Sequence, residues 1–144
     1  MTGTFLAGAE VTIDAPPPRV WSALTDPALI REYMFGSEVT SDFAEGSEIR
    51  YAGEFDGKKY EDHGVILEVK PNELLRSTHF SPLGGQPDIP ENYHTITYRL
   101  RAVGGSTVLS LEQDNNGSEE EAAHSSANWR QMLAALKGVV ESSN

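Results

Sequence analysis

The chain has no cysteine. That excludes a disulfide framework, a thiolate metal site and a cysteine nucleophile. Positive charge is scarce. Eleven Lys and Arg stand against 22 Asp and Glu, a net charge of −11. Such a surface repels phosphate backbones and anionic lipid heads, so nucleic acid is not an expected partner. No apolar run approaches the ~20 residues of a transmembrane helix, and no membrane insertion is expected. The start, Met1 to Ala9, lacks a basic n-region, and Phe5-Leu6-Ala7 is too short for a signal peptide. A cytoplasmic protein is the expectation. Repeats, low-complexity tracts and linkers are missing too. So are a Gly-x-Ser-x-Gly elbow, a phosphate loop and a dinucleotide fingerprint. With 144 residues, one domain spanning 1–144 is expected, long enough to bury a sizeable core.

What is present is dominated by the stretch Ser118 to Val140. It opens Ser118-Glu119-Glu120-Glu121, a Ser-x-x-Glu capping box whose acidic turn suits the positive end of a helix dipole. Apolar residues follow at Ala123, Ala127, Trp129, Met132, Leu133, Leu136, Val139 and Val140. From Trp129 onward they fall on one helical face, with Arg130, Gln131, Lys137 and Glu141 opposite. This predicts one long amphipathic helix of about six turns, which needs a large apolar surface to lie against.

The preceding residues supply it. Phe5 to Ile13 alternates as a strand and ends at Pro16-Pro17-Pro18. Pro17 to Leu24 and Pro27 to Tyr33 read as two short helices, with Asp26 placed to cap the second. The pair forms a helix–turn–helix hairpin, but its only basic residues are Arg19 and Arg31, too few for a nucleic-acid surface. From residue 36 the period becomes two. Strands are expected at 48–55, 58–69, 74–80, 93–102 and 106–114. They are joined by turns at Asp56-Gly57, Lys70-Pro71-Asn72-Glu73 and Gly104-Gly105. Residues 81–92 form a long loop, either a lid or a plain hairpin connection. The sum is an α+β fold: a curved antiparallel sheet of six to seven strands wrapped around the long C-terminal helix, with the short helices closing one end.

Five stretches in this order resemble the helix-grip superfamily, which includes the birch-pollen-allergen-like and START-related lipid-transfer domains. They are Ala15-Pro-Pro-Pro-Arg-Val-Trp-Ser-Ala-Leu-Thr-Asp-Pro27, Glu45-Gly-Ser-Glu-Ile-Arg-Tyr51, Gly64-Val-Ile-Leu-Glu-Val-Lys-Pro71, Gly105-Ser-Thr-Val-Leu-Ser-Leu111 and Trp129-Arg-Gln-Met-Leu-Ala-Ala-Leu136. Within it the chain looks most like the family of activator of heat-shock protein 90 ATPase homologues. The resemblance implies the helix-grip (SRPBCC, START-like) fold. It departs from the family pattern at Tyr33-Met34 and at Asn128, both beside the cavity the resemblance implies.

Several side chains carry possible chemistry. His63 and His79 lie within about one residue of being opposite across the turn at Pro71-Asn72, so their side chains can approach. His94 and His124 lie elsewhere. None has ligand spacing within a motif, so no metal or cofactor is expected. Glu61/Asp62 and Glu54/Asp56 are carboxylate pairs of the kind an acidic chain has without function. Arg50, Glu54 and Glu112 are expected to face solvent. Gly53 and Gly64 leave room for a ligand or mark bulges. Trp21, Tyr33, Phe35, Tyr51, Phe55, Tyr98 and Trp129 fall on or beside inward faces, as plain core or as cavity lining.

The expected function is binding of a small hydrophobic ligand, lipid-like or aromatic, between sheet and helix. The lining would be Tyr33, Phe35, Tyr51, Phe55, Tyr98, Trp129, Met132 and Leu133, with His63 and His79 as polar contacts. A monomer or weak dimer is expected. One alternative is a stress-related co-chaperone role with a chaperone partner, which the resemblance motivates. The other is a cyclase or dehydratase, which would require a buried acid–base pair in the cavity. No catalytic residue is assigned from the sequence.

Overall fold

A computed structural model describes residues 5–34, 36–55, 57–82 and 86–142. The chain runs β1 (Phe5–Ile13), α1 (Pro17–Thr25), α2 (Pro27–Tyr33), β2 (Glu38–Thr40), β3 (Glu48–Phe55), β4 (Lys58–Lys70), β5 (Leu74–His79), β6 (His94–Val103), β7 (Ser106–Asn116) and α3 (Glu119–Ser142). One seven-stranded antiparallel sheet results, in the order β1-β7-β6-β5-β4-β3-β2. It curves around α3, as in the helix-grip fold. Three turns follow from their residues. Asp26 Oδ1 accepts from the Ala28 amide at 3.0 Å and starts α2. Asn72 takes the left-handed conformation (φ 69°) that the β4–β5 turn needs, and Gly104 does so between β6 and β7 (φ 63°). The Asp56-Gly57 turn lies partly outside the described residues at Asp56.

The predicted capping box forms with one change. The Glu121 amide donates to Ser118 Oγ at 3.0 Å, while the Glu121 carboxylate accepts from the Gly117 amide at 2.6 Å, one residue earlier than expected. The buried residues of α3 are Ala122, Met132, Leu133, Leu136 and Val140. Ala123, expected inside, is exposed, and Ala122 takes its place. The reason is geometric: Ala122 lies about three turns before buried Leu133, whereas Ala123 lies about two and a half turns before Met132 and so faces away.

β1 is an edge strand, and its outward backbone groups would template aggregation if left free. Side chains of α3 engage them. Ser126 Oγ accepts from the Gly8 amide at 3.0 Å, Lys137 Nζ donates to the Thr12 carbonyl at 2.7 Å, and Glu141 Oε2 accepts from the Asp14 amide at 2.8 Å. Arg19 on α1 donates to the Val140 carbonyl at 2.6 Å, in the last turn of α3. The hydrogen bond from Lys137, and then that from the Asp14 amide, hold the Glu141 carboxyl below its ordinary value of 4.5. Its stabilising contribution is therefore complete above that value and is lost as pH falls through the lowered one. Glu141→Gln should lower the urea midpoint at neutral pH, and the difference from the native protein should close as the pH falls through the lowered value.

These edge contacts set α3 to one side. It packs chiefly along β1. The core joins α1 and α2 to the sheet and to the buried face of α3, through Val20, Leu24, Ile30, Ile13, Leu109, Leu111 and Leu136. The concave face of β3 to β6 is left without α3 pressed onto it.

Candidate functional site

A cavity of about 720 Å³ opens where α3 leaves the sheet. Its apolar wall is Met34, Tyr51, Ile96, Tyr98, Trp129 and Met132. Its polar wall includes Ser37, Tyr60, Asp62, His79, Ser81 and Gln113, with Glu54, Ser125 and Asn128 completing the lining. Strand parity places each sheet residue. Tyr51 pairs with Asp62 across β3 and β4, and Ile96 pairs with Gln113 across β6 and β7, so each pair shares the concave face.

The polar groups are mostly held by one another. The Trp129 indole N–H donates to Gln113 Oε1 at 2.7 Å, which fixes the ring against the wall. The Ser37 and Tyr60 hydroxyls lie 2.5 Å apart. His79 Nε2 and Asp62 Oδ2 lie 3.1 Å apart. The Tyr51 ring meets the His79 ring edge-on, with centroids 5.6 Å apart. Asp62 Oδ1 is buried with no hydrogen-bond partner among the described residues.

Burial raises the phenol pKa of Tyr33, Tyr51 and Tyr98 well above 10.0. Asp62 adds to the effect on Tyr51, Tyr51 adds to that on Tyr98, and both phenols add to that on Tyr33. All three stay protonated and can only donate or accept as neutral hydroxyls. The unfolded chain would ionise them near pH 10 while the folded chain would not. Their contribution is thus intact below that pH and lost above it. Alkaline titration should show the phenolate absorbance of these three arriving together with loss of the circular dichroism signal, not before it. On the surface, hydrogen bonding to Asp88 pushes the Tyr93 phenol up to about 12.

The sequence-derived site residues divide into groups. Tyr51, His79, Tyr98, Trp129 and Met132 line the cavity. Tyr33 and Leu133 do not; they are 2% and 1% exposed and belong to the core. Tyr33 donates its hydroxyl to the Ala23 carbonyl at 2.8 Å, which locks α2 onto α1. Leu133 sits one residue past Met132, about 100° further round the helix, and faces the sheet instead of the gap. Phe35 lies outside the described residues, as does the side chain of Phe55.

His63 is a correction. The chain pairs it with Phe80, one residue beyond His79. A one-residue offset reverses the face, so His63 lies on the convex side and His79 on the concave side. The two histidines do not approach one another. His63 Nε2 instead contacts Asp88 Oδ2 at 3.0 Å and the Tyr93 hydroxyl at 2.9 Å. Those contacts draw residues 86–92 toward the convex side, while Ser81, at the start of the same loop, lines the cavity. The glycines leave no ligand space. The Tyr60 ring covers Gly53, and the Thr78 carbonyl lies against Gly64.

Asp62 and Tyr60 were not singled out as lining by sequence reasoning. A usable signal existed: parity counted back from buried Ile66 through Gly64 puts Asp62 and Tyr60 on the same inward face. Met34 and Asn128, where the sequence departs from the family pattern, both line the cavity. Arg50 is on the outer face, ion-paired with Glu48 and Glu61.

A seven-stranded sheet gripping a long helix around an aromatic-walled cavity defines a helix-grip domain with a ligand-binding fold. The chain belongs to the family described as Activator of Hsp90 ATPase homolog 1-like protein, whose profile matches residues 14–141. It is similar to the solution structure of ChR145 from Cytophaga hutchinsonii, with 46% identity, a TM-score of 0.86, and 99% and 98% of the two chains covered. More distant is the Aha1 dimer from Colwellia psychrerythraea, at 20% identity and a TM-score of 0.74, covering 96% of this chain and 97% of that one. DynU16, a protein of the dynemicin biosynthetic locus, shares the fold at 20% identity and a TM-score of 0.79, covering 96% of this chain and 48% of that one. No curated protein matches the chain by sequence. No helix among the described residues is long and apolar enough to cross a membrane.

Proposed function

We propose that this protein binds a small, largely hydrophobic molecule, with a flat aromatic or polyketide-like framework favoured over an aliphatic chain. The observation that carries the reading is the cavity itself. Its volume of about 720 Å³ falls inside the range of about 300–1,000 Å³ usual for small-molecule sites. Its apolar wall is built mainly from flat rings and thioethers, and Tyr60, Asp62 and His79 on β4 and β5 are among its polar groups. Tyr51, Tyr98 and Trp129 offer faces for stacking, and the two methionines adapt to an irregular outline. The place of a same-fold neighbour in a biosynthetic locus supports a small-molecule role.

A two-dimensional amide NMR spectrum would be titrated with fatty acids, sterols, flavonoids and polyketide-like aromatics. Saturable shifts confined to residues 129–136 and to β3 and β6 are expected with the aromatic members. A flat response to every compound would sink the reading. A second reading, co-chaperone docking, is supported by the family match and by Val65 and Leu67, which are 40% and 46% exposed on β4. It requires stimulation of a matched chaperone's ATPase, and Leu67→Glu should abolish that without disturbing ligand binding.

A further inference from the structure

The cavity also contains a pair of groups that apolar binding does not need. Asp62 and His79 are diagonal neighbours on the concave face of β4 and β5, joined at 3.1 Å, with side chains only 16% and 22% exposed. A carboxylate can only accept, so the hydrogen between them sits on His79 Nε2. In the neutral ring the lone pair is then on Nδ1. No hydrogen bond to Nδ1 is formed among the described residues. The edge-on Tyr51 ring limits rotation of the imidazole. The hydroxyls of Tyr51 and Tyr98 line the same cavity, and neither is hydrogen-bonded among the described residues. A base oriented by a carboxylate, beside free O–H donors in the same cavity, has the parts needed to move a proton next to a carbonyl group.

We propose that Asp62, His79 and Tyr51 form a proton-transfer site for a ketone held in the cavity. This rests on the ligand-binding reading and adds a chemistry to it. In the step, His79 Nδ1 takes a proton from the carbon beside the carbonyl. The C–H electron pair becomes a carbon–carbon double bond, and the carbonyl π pair moves onto oxygen. A phenol O–H donates to that enolate oxygen, and Asp62 stabilises the imidazolium. The proton then returns from Nδ1 to the same carbon, giving exchange, or to the far end of an unsaturated ketone, giving an isomer. No oxidant, reductant or second substrate is consumed. Tyr51 and Tyr98 suit the donor role because burial keeps both protonated.

The test uses α-tetralone, a bicyclic aryl ketone, and two quantities followed by NMR: amide shifts in ordinary water, which report binding, and deuterium entering the carbon beside the carbonyl in a parallel sample in deuterated water. The native protein should speed exchange by about a hundredfold over a buffer containing the same concentration of free imidazole. His79→Gln should fall to the buffer rate. Asp62→Asn should lose most of the acceleration at saturating probe, where any change in affinity drops out of the rate. Tyr51→Phe keeps the ring and should lose about tenfold; it preserves the test if either polar variant fails to fold. Saturable binding with exchange at the buffer rate would overturn the proposal and leave the binding reading standing, with the dyad as a recognition element. Absence of amide shifts would overturn both readings for aromatic ketones.

Discussion

Gly64→Ala should destabilise the protein by about 3 kcal/mol or more, against a total of about 5–15 kcal/mol for a domain of ordinary stability. A β-carbon at this position would lie 1.8 Å from the Thr78 carbonyl oxygen, 2.5 Å from its carbon and 3.2 Å from the His79 amide nitrogen. All three are backbone atoms, so no side-chain rotation can relieve the overlap, and β4 and β5 would have to separate. That separation would break the paired bonds between His63 and Phe80, at 3.0 and 2.8 Å, and the bond from the Val65 amide to Thr78 Oγ1 at 2.9 Å. It would also displace Asp62 from His79. The urea midpoint measures the loss. Gly138→Ala is the matched control: it lies in the interior of α3 with nothing within 4 Å of an added β-carbon. It should raise stability by up to about 1 kcal/mol through helix propensity. Equal midpoints for Gly64→Ala and the native protein would mean that the two strands do not approach closely there.

Ser125→Trp should abolish ligand binding, by about a hundredfold or more in Kd, while the protein stays folded. Ser125 lines the cavity from α3, one turn before Trp129. A second indole at this point would occupy the space that a flat ligand needs. The substitution removes the hydrogen bond that the Ser125 hydroxyl donates to Asn116 Oδ1 at 3.3 Å, which contributes about 1 kcal/mol at most. A hundredfold weakening corresponds to about 2.7 kcal/mol of binding free energy, so blocking and destabilisation are separable in one titration. Unchanged affinity would place the ligand elsewhere. Paired with the dyad variants, this substitution also distinguishes occupancy from chemistry: Ser125→Trp removes both binding and exchange, whereas Asp62→Asn lowers exchange even when the cavity is saturated with probe.

The effects of these two substitutions have different origins, and that difference tracks what was legible before folding. Periods of 3.6 and 2 are local, and so are caps and turn residues. The order of elements apart from the three-residue β2, the N-terminal cap of α3, the Asp26 cap and the inward rows of β3, β6 and β7 could all be read from neighbours in the chain. The motifs from Ala15 to Leu136 pointed to the family and the helix-grip fold because their order and spacing are sequence properties. From the same information Tyr51, Tyr98, Trp129 and Met132 could be placed inward.

Contacts between distant segments settled the rest. Counting outward from the Pro71-Asn72 turn left the β4–β5 register open by one residue. In a pleated sheet that residue separates the concave His79 from the convex His63. Met132 and Leu133 carry the same apolar signal, and only the docking angle of α3 puts one at the cavity and the other in the core. That angle is fixed by Ser126, Lys137 and Glu141 engaging the edge of β1, polar contacts that a hydrophobic pattern does not record. The helix is thereby drawn toward β1, and the cavity is the space it leaves over β3 to β6. The order of residues specified which faces are apolar. Folding selected which of those faces meet and which stay apart, because burial is a property of pairs of surfaces and the chain in isolation holds only one of each pair.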